Sequence, residues 1–156
     1  MNLSKNLTLA EVTISESAKR NGIYNNPTEA HKEALKLIAI KIFQPLREHF
    51  NVPIFISSGY RSEALNKLIG GSKTSQHSKG EALDIDMDGR ADGVSNKDIF
   101  NYIKECLPFD QLIWEFGTEE NPDWVHVSYS ATRQRNEVLI ATRVNGKVSY
   151  CLINEF

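Results

Sequence analysis

The sequence predicts an α+β fold, with N-terminal helices packed on a mainly antiparallel sheet. Three observations predict it. Apolar residues recur at threes and fours through the first third of the chain, which is helical periodicity. Short β-branched or strictly alternating runs fill most of the remainder. Asn145-Gly146 then separates two such runs, a strong hairpin signal. Helices followed by hairpin-linked strands give a layered α+β arrangement rather than alternating βαβ units.

Residues 8 to 20 read as a short helix, with Thr8 as N-cap and Glu11 three positions on in a capping-box pattern. Gly22 and the run Asn25-Asn26-Pro27 break the chain. Thr28 can cap a second helix whose apolar positions are Ala34, Leu35, Ile38, Ile42, Leu46 and Phe50. Pro45 falls inside that pattern and should kink or split it. His31 and His49 read as solvated or boundary residues. PIFISS at 53 to 58 is a strand, and 62 to 69 a short helix ended by Gly70-Gly71. A polar loop leads into EALDIDMD, where Ala82, Asp84, Asp86 and Asp88 face one way and Leu83, Ile85 and Met87 the other. Residues 96 to 106 form a helix capped by Ser95. Strands follow at 111 to 116 and 124 to 129, the latter with Trp124, His126 and Ser128 on one face. Runs at 137 to 142 and 147 to 153 make the hairpin. No repeat or linker interrupts the chain, so residues 1–156 are expected to form a single domain.

Bulk properties exclude several classes. A net charge of −2 argues against an electrostatically driven nucleic-acid binder. Cys106 and Cys151 belong to no CxxC pair, which disfavours a thiolate metal site. They read as two buried thiols in a reducing compartment. The N-terminus lacks the basic and apolar segments of a secretory signal, and no apolar run approaches a membrane span. The expectation is a monomer, not membrane-bound, that stays in the cytoplasm until something releases it.

Chemistry concentrates at His77, Asp84 and His126. His77 ends the polar loop, Asp84 follows seven residues later on the outward face of its strand, and His126 lies on the outward face of another. If those strands share a sheet, two imidazoles and a carboxylate converge, a donor set suited to zinc with one position left for water. Spacing and face leave a second reading open, in which Asp84, Asp86 and Asp88 form a solvated strand face and His77 is a loop residue. A calcium-stabilised module using Asp84, Asp86, Asp88 and Asp92 is weaker, because the closing glutamate of a calcium loop is missing.

The motifs add a resemblance. SQHSKGEALDID at 75 to 86 resembles the S-x-H-x-x-G-x-A-x-D motif of the zinc D-alanyl-D-alanine carboxypeptidases, a family grouped with lysostaphin-type enzymes and hedgehog amino-terminal domains. The matching positions are Ser75, His77, Gly80, Ala82 and Asp84. WVHVS at 124 to 128 resembles the second histidine motif, and SGYRS at 58 to 62 the upstream arginine segment. The similarity runs from about residue 5 to residue 130. It implies His77, Asp84 and His126 as zinc ligands and Arg61 as the cation that holds a substrate oxygen. Ser75 either hydrogen-bonds near the metal and substrate or orders the loop. For the general base, family position favours Asp123, three residues before the last histidine. Glu115 is the rival, on a strand that could border the same face.

Two functions follow from this resemblance. The first is zinc-dependent hydrolysis of peptidoglycan stem peptides, as a carboxypeptidase or an endopeptidase. A short chain without a wall-binding module resembles phage or prophage lysins of this type, released to the wall or carried on a virion. The second is a non-catalytic zinc-containing recognition module, as in hedgehog-type relatives. A site with ligands, base and arginine together favours the enzyme.

Overall fold

The computed structural model describes residues 1–90 and 92–153. A two-stranded ribbon opens the chain, β1 (Asn2–Ser4) and β2 (Leu7–Thr8). The expected helix over 8 to 20 is two helices, α1 (Leu9–Thr13) and α2 (Glu16–Arg20). Thr8 and Glu11 do form the capping box. The split follows from Ser15, whose hydroxyl accepts the Ala18 N–H and starts a second helix in a different direction.

The long helical pattern becomes α3 (Glu29–Ile38), a wide π segment over Ala39–Phe43, and α4 (Gln44–Phe50). Pro45 sits in the first turn of α4 and has no N–H for the carbonyl four residues back. The π widening carries the helix past that gap without a break, so Leu35, Ile38, Ile42 and Leu46 remain on one fully buried stripe. His31 completes the Thr28 cap, accepting its N–H through Nδ1, and His49 stacks on Tyr102 at 3.9 Å.

The main sheet has six strands in the order β3 (Ile56–Ser58), β4 (Ala82–Ile85), β6 (Trp124–Ser128), β5 (Gln111–Glu115), β7 (Glu137–Val144) and β8 (Lys147–Leu152). All neighbours are antiparallel except β5 and β7, which run parallel. The strand expected over 53 to 58 shrinks to its last three residues. The strand ends at Ile85, three residues short of the expected run, but the alternation persists to Asp88, with Met87 buried and Asp88 exposed, before the chain turns at Asp88-Gly89. There Asp86 Oδ1 accepts N–H groups from Asp88 and from the Asn96 side chain. Helices α5 (Glu63–Leu68) and α6 (Asn96–Cys106) complete the fold, capped by Ser62 and Ser95.

One face of the sheet presents Leu83, Ile85, Leu112, Trp114, Val125 and Val127 to the helices, in a core with Leu35, Ile42, Phe100 and Ile103. The opposite face carries the polar residues. Cys106 and Cys151 are exposed free thiols, contrary to the expectation of burial, because one ends a helix and the other lies on the edge strand β8. No helix among the described residues is long and apolar enough to cross a membrane.

Candidate metal centre and active site

His126 stands directly opposite Asp84 in the β4–β6 ladder. Residues opposed in this way project from the same face with their Cβ atoms about 5 Å apart. Register alone therefore sets an imidazole against a carboxylate, and His126 Nδ1 lies 3.0 Å from Asp84 Oδ1.

His77 comes from the short 3₁₀ turn Gln76–Lys79 that leads into β4. Ser75 caps this turn, its hydroxyl accepting the His77 N–H at 3.3 Å, so the loop-ordering reading of Ser75 is the contact observed. The turn ends at Gly80, in the left-handed region with φ of 74°. A Cβ there would stand 2.6 Å from the His31 carbonyl oxygen, so both the backbone and the space require glycine. His77 Nδ1 donates to the Gly59 carbonyl at 2.7 Å, and His77 Nε2 is 3.2 Å from the same Asp84 Oδ1. Gly59 is itself forced, since a Cβ would fall 2.4 Å from the Val12 carbonyl oxygen.

These contacts test the group for a metal. One donor atom from each of His77, Asp84 and His126 lies within 4.8 Å of the others. The Gly59 bond places the His77 proton on Nδ1, so a neutral His77 turns the Nε2 lone pair toward a carboxylate oxygen. Two like-signed lone pairs at that distance repel unless a proton or a cation lies between them. Two imidazoles and a carboxylate are ligands that zinc accepts, and a carbonyl holding the far nitrogen is the usual outer support of a metal-binding histidine. Burial works to raise the Asp84 carboxyl, but His77 and His126 outweigh it and hold the group well below the usual carboxylate range. It is thus ionised, as a ligand must be.

Arg61 reaches the centre from the loop between β3 and α5. Its guanidinium Nη2 is 3.9 Å from Asp84 Oδ2, and its Nε is buried with no protein acceptor. Burial pulls its pKa down, while Asp84 and Glu115 support the charge.

The two candidate bases are placed differently. Glu115 ends β5, and Ile113 two residues earlier is opposite His126. Glu115 therefore shares the face of His126 and Asp84. It is 7% exposed, and burial pushes its carboxyl up to about 7, with His126 and Arg61 pulling down and Asp84 pushing up. Asp123 is exposed, in the bend just before β6 and three positions before His126. Its backbone is pinned, the N–H donating to the Glu115 carbonyl and the carbonyl accepting from Asn96. Asp123 lines a pocket with Trp114, Phe116, Thr118, Thr142 and Arg143, a lining that does not include His77, Asp84 or Arg61.

Two supporting residues were not singled out in the sequence. Asn96 is fully buried, accepts the Met87 N–H, and donates to Asp86, Pro122 O and Asp123 O, which ties the end of β4 to the entry of β6. Asp110, also fully buried, takes a two-pronged bond from Arg135 at 2.8 and 2.9 Å and one from Gln76 at 3.0 Å. Burial raises the Asp110 carboxyl, but Arg135 and then Gln76 bring it below its ordinary value. This anchors the residue next to His77. Asn96 stands at the first helical position and Asp110 just before a strand, and neither place marks a buried polar hub.

The sequence model of the family described as Peptidase M15 matches residues 5–128. The chain belongs to the Peptidase M15 family. No curated protein matches it. Peptidases of this family are zinc-dependent, in keeping with the His77–Asp84–His126 group. Membership makes the chain a metallopeptidase at the level of the family. The match ends on the last residue of β6, so β7 and β8 lie beyond it.

Proposed function

We propose that this M15 family member hydrolyses a peptide bond in the stem peptides of bacterial peptidoglycan, with His77, Asp84 and His126 holding zinc. The observation that carries the reading is the convergence of two imidazoles on one Asp84 oxygen beside a buried, unpartnered Arg61 Nε. Zinc held by these three residues would supply Lewis acidity and would make water a better nucleophile near neutral pH.

The chain's own residues supply the rest. Glu115 acts as general base. A carboxylate on the same sheet face as Asp84 and His126 can take a proton from the attacking water and return it to the departing amine. Asp123 holds the family position, but its exposure, against the burial of Glu115 on the face of Asp84 and His126, supports Glu115 over it. Arg61 donates from Nε to the carbonyl oxygen as negative charge builds there. Ser75 keeps His77 in place through its backbone rather than touching substrate.

A recognition module with no chemistry is the competing reading. A recognition site gains nothing from a buried carboxyl poised near neutrality, and burying one is unfavourable. Digestion of purified peptidoglycan, with mass analysis of new termini, is the test. New amino and carboxyl termini in the stem peptides, absent with Glu115→Gln, support the enzyme. An intact wall after exposure to the zinc-loaded protein contradicts it.

A further inference from the structure

The C-terminal hairpin lies outside the residues matched by the family, yet it extends the face that carries the candidate centre. Glu115 is opposite Trp124 on β6 and beside Ala141 on β7, and Ala141 is opposite Tyr150 on β8. Trp124, Glu115, Ala141 and Tyr150 thus form one row across four strands, all projecting from one face. Neighbouring strands are about 4.8 Å apart, so the Tyr150 backbone is about 10 Å from that of Glu115, with only an alanine methyl between them. Tyr150 remains 54% exposed. Burial raises its phenol pKa, and Glu115 and Asp84 raise it further.

A second line of residues runs beside this row. Arg143 is two positions from Ala141 on β7 and shares its face. Its guanidinium lies 4.5 Å over the Phe116 ring, and Phe116 meets Trp124 edge-on at 5.5 Å. Phe116 and Arg143 border the pocket that Asp123 also lines, so the ring area that the hairpin adds beside the Glu115 row is that of Tyr150.

Resting on the peptidase reading above, we propose that Tyr150 is a substrate-contacting, specificity-determining residue. Its ring packs against the peptide on the Glu115 side of the bond being cut.

Steady-state cleavage of soluble stem peptides by wild type, Tyr150→Ala and Tyr150→Phe tests this. A contact that binds substrate and transition state alike changes KM and spares kcat. Tyr150→Ala is expected to raise KM about tenfold with kcat within about twofold, and Tyr150→Phe to raise it less. Metal content should match wild type in both. A Tyr150→Ala KM within about twofold of an active wild type overturns the proposal and leaves the peptidase reading intact. A zinc-loaded wild type that cuts no stem peptide overturns both. Should Tyr150→Ala fail to fold, the Tyr150 ring resonances of Glu115→Gln decide instead. They are expected to shift when soluble stem peptide is added, and no shift overturns the contact.

Discussion

The centre of the sheet and its C-terminal edge are built on opposite terms. In β4, β5 and β6, Leu83, Leu112, Val125 and Val127 are fully buried, and the polar residues between them project from the other face in fixed register. In β8 every residue is exposed. The central strands cannot shift by one residue without turning their core side chains to solvent, so His126 and Asp84 are held as firmly as the core itself. The edge has no such constraint. It can change its side chains with little effect on stability, and it lies outside the family match. Chemistry sits where the fold is rigid, and we place substrate reading where it is free to vary.

This contrast orders the expected effects. The largest belong to the centre. His77→Ala removes a ligand together with its Gly59 bond, and activity should fall by at least about 10³-fold in a peptidoglycan turnover assay. Glu115→Gln should lower kcat by about 10²- to 10⁴-fold while zinc content is unchanged. Asp123→Asn should stay within about threefold, because its side chain contributes no proton transfer in this account. Full activity in Glu115→Gln with loss in Asp123→Asn would reverse the assignment.

A pH effect comes next. The Glu115 carboxyl is raised to about 7 in the folded protein against an ordinary 4.5. Below that ordinary value the group is neutral in both states. Between 4.5 and about 7 the unfolded chain ionises and the folded chain does not, so metal-free protein loses stability as pH rises through that window. The loss should approach about 3 kcal/mol, at roughly 1.4 kcal/mol per pKa unit. Denaturant melts of metal-free wild type and Glu115→Gln should therefore converge at pH near 4 and separate at pH near 8, with the variant the more stable.

The smallest effects separate core from edge without touching chemistry. Leu112→Ala, in the core face of β5, should lose about 2–5 kcal/mol in denaturant melts. Val148→Thr, on exposed β8, should lie within about 0.5 kcal/mol of wild type. A large loss at Val148 would show that the hairpin carries stability and would weaken its reading as a tunable edge.

Much of this was legible from local rules. Thr8, Thr28 and Ser95 declare themselves as caps, Asn145-Gly146 as a turn, and the alternation around Asp84 and His126 as a shared outward face. What was not legible lies either below the resolution of periodicity or in contacts distant in sequence. The split at Ser15 and the π widening before Pro45 are local adjustments that leave the apolar pattern untouched, so periodicity does not register them. Asn96 and Asp110 become hubs only when turns far apart in sequence meet. The balance between Glu115 and Asp123 turns on burial and on the face Glu115 shares with His126, whereas motif position counts residues without counting either. Exposure of Cys106 and Cys151 reflects a helix end and a sheet edge, places that composition does not reveal.

Every functional step rests on a cation held by His77, Asp84 and His126, and metal content tests this most directly. Protein purified without added metal should carry about one equivalent of zinc, and His77→Ala prepared alongside should carry almost none. Zinc absent from both, or equal in both, contradicts the account.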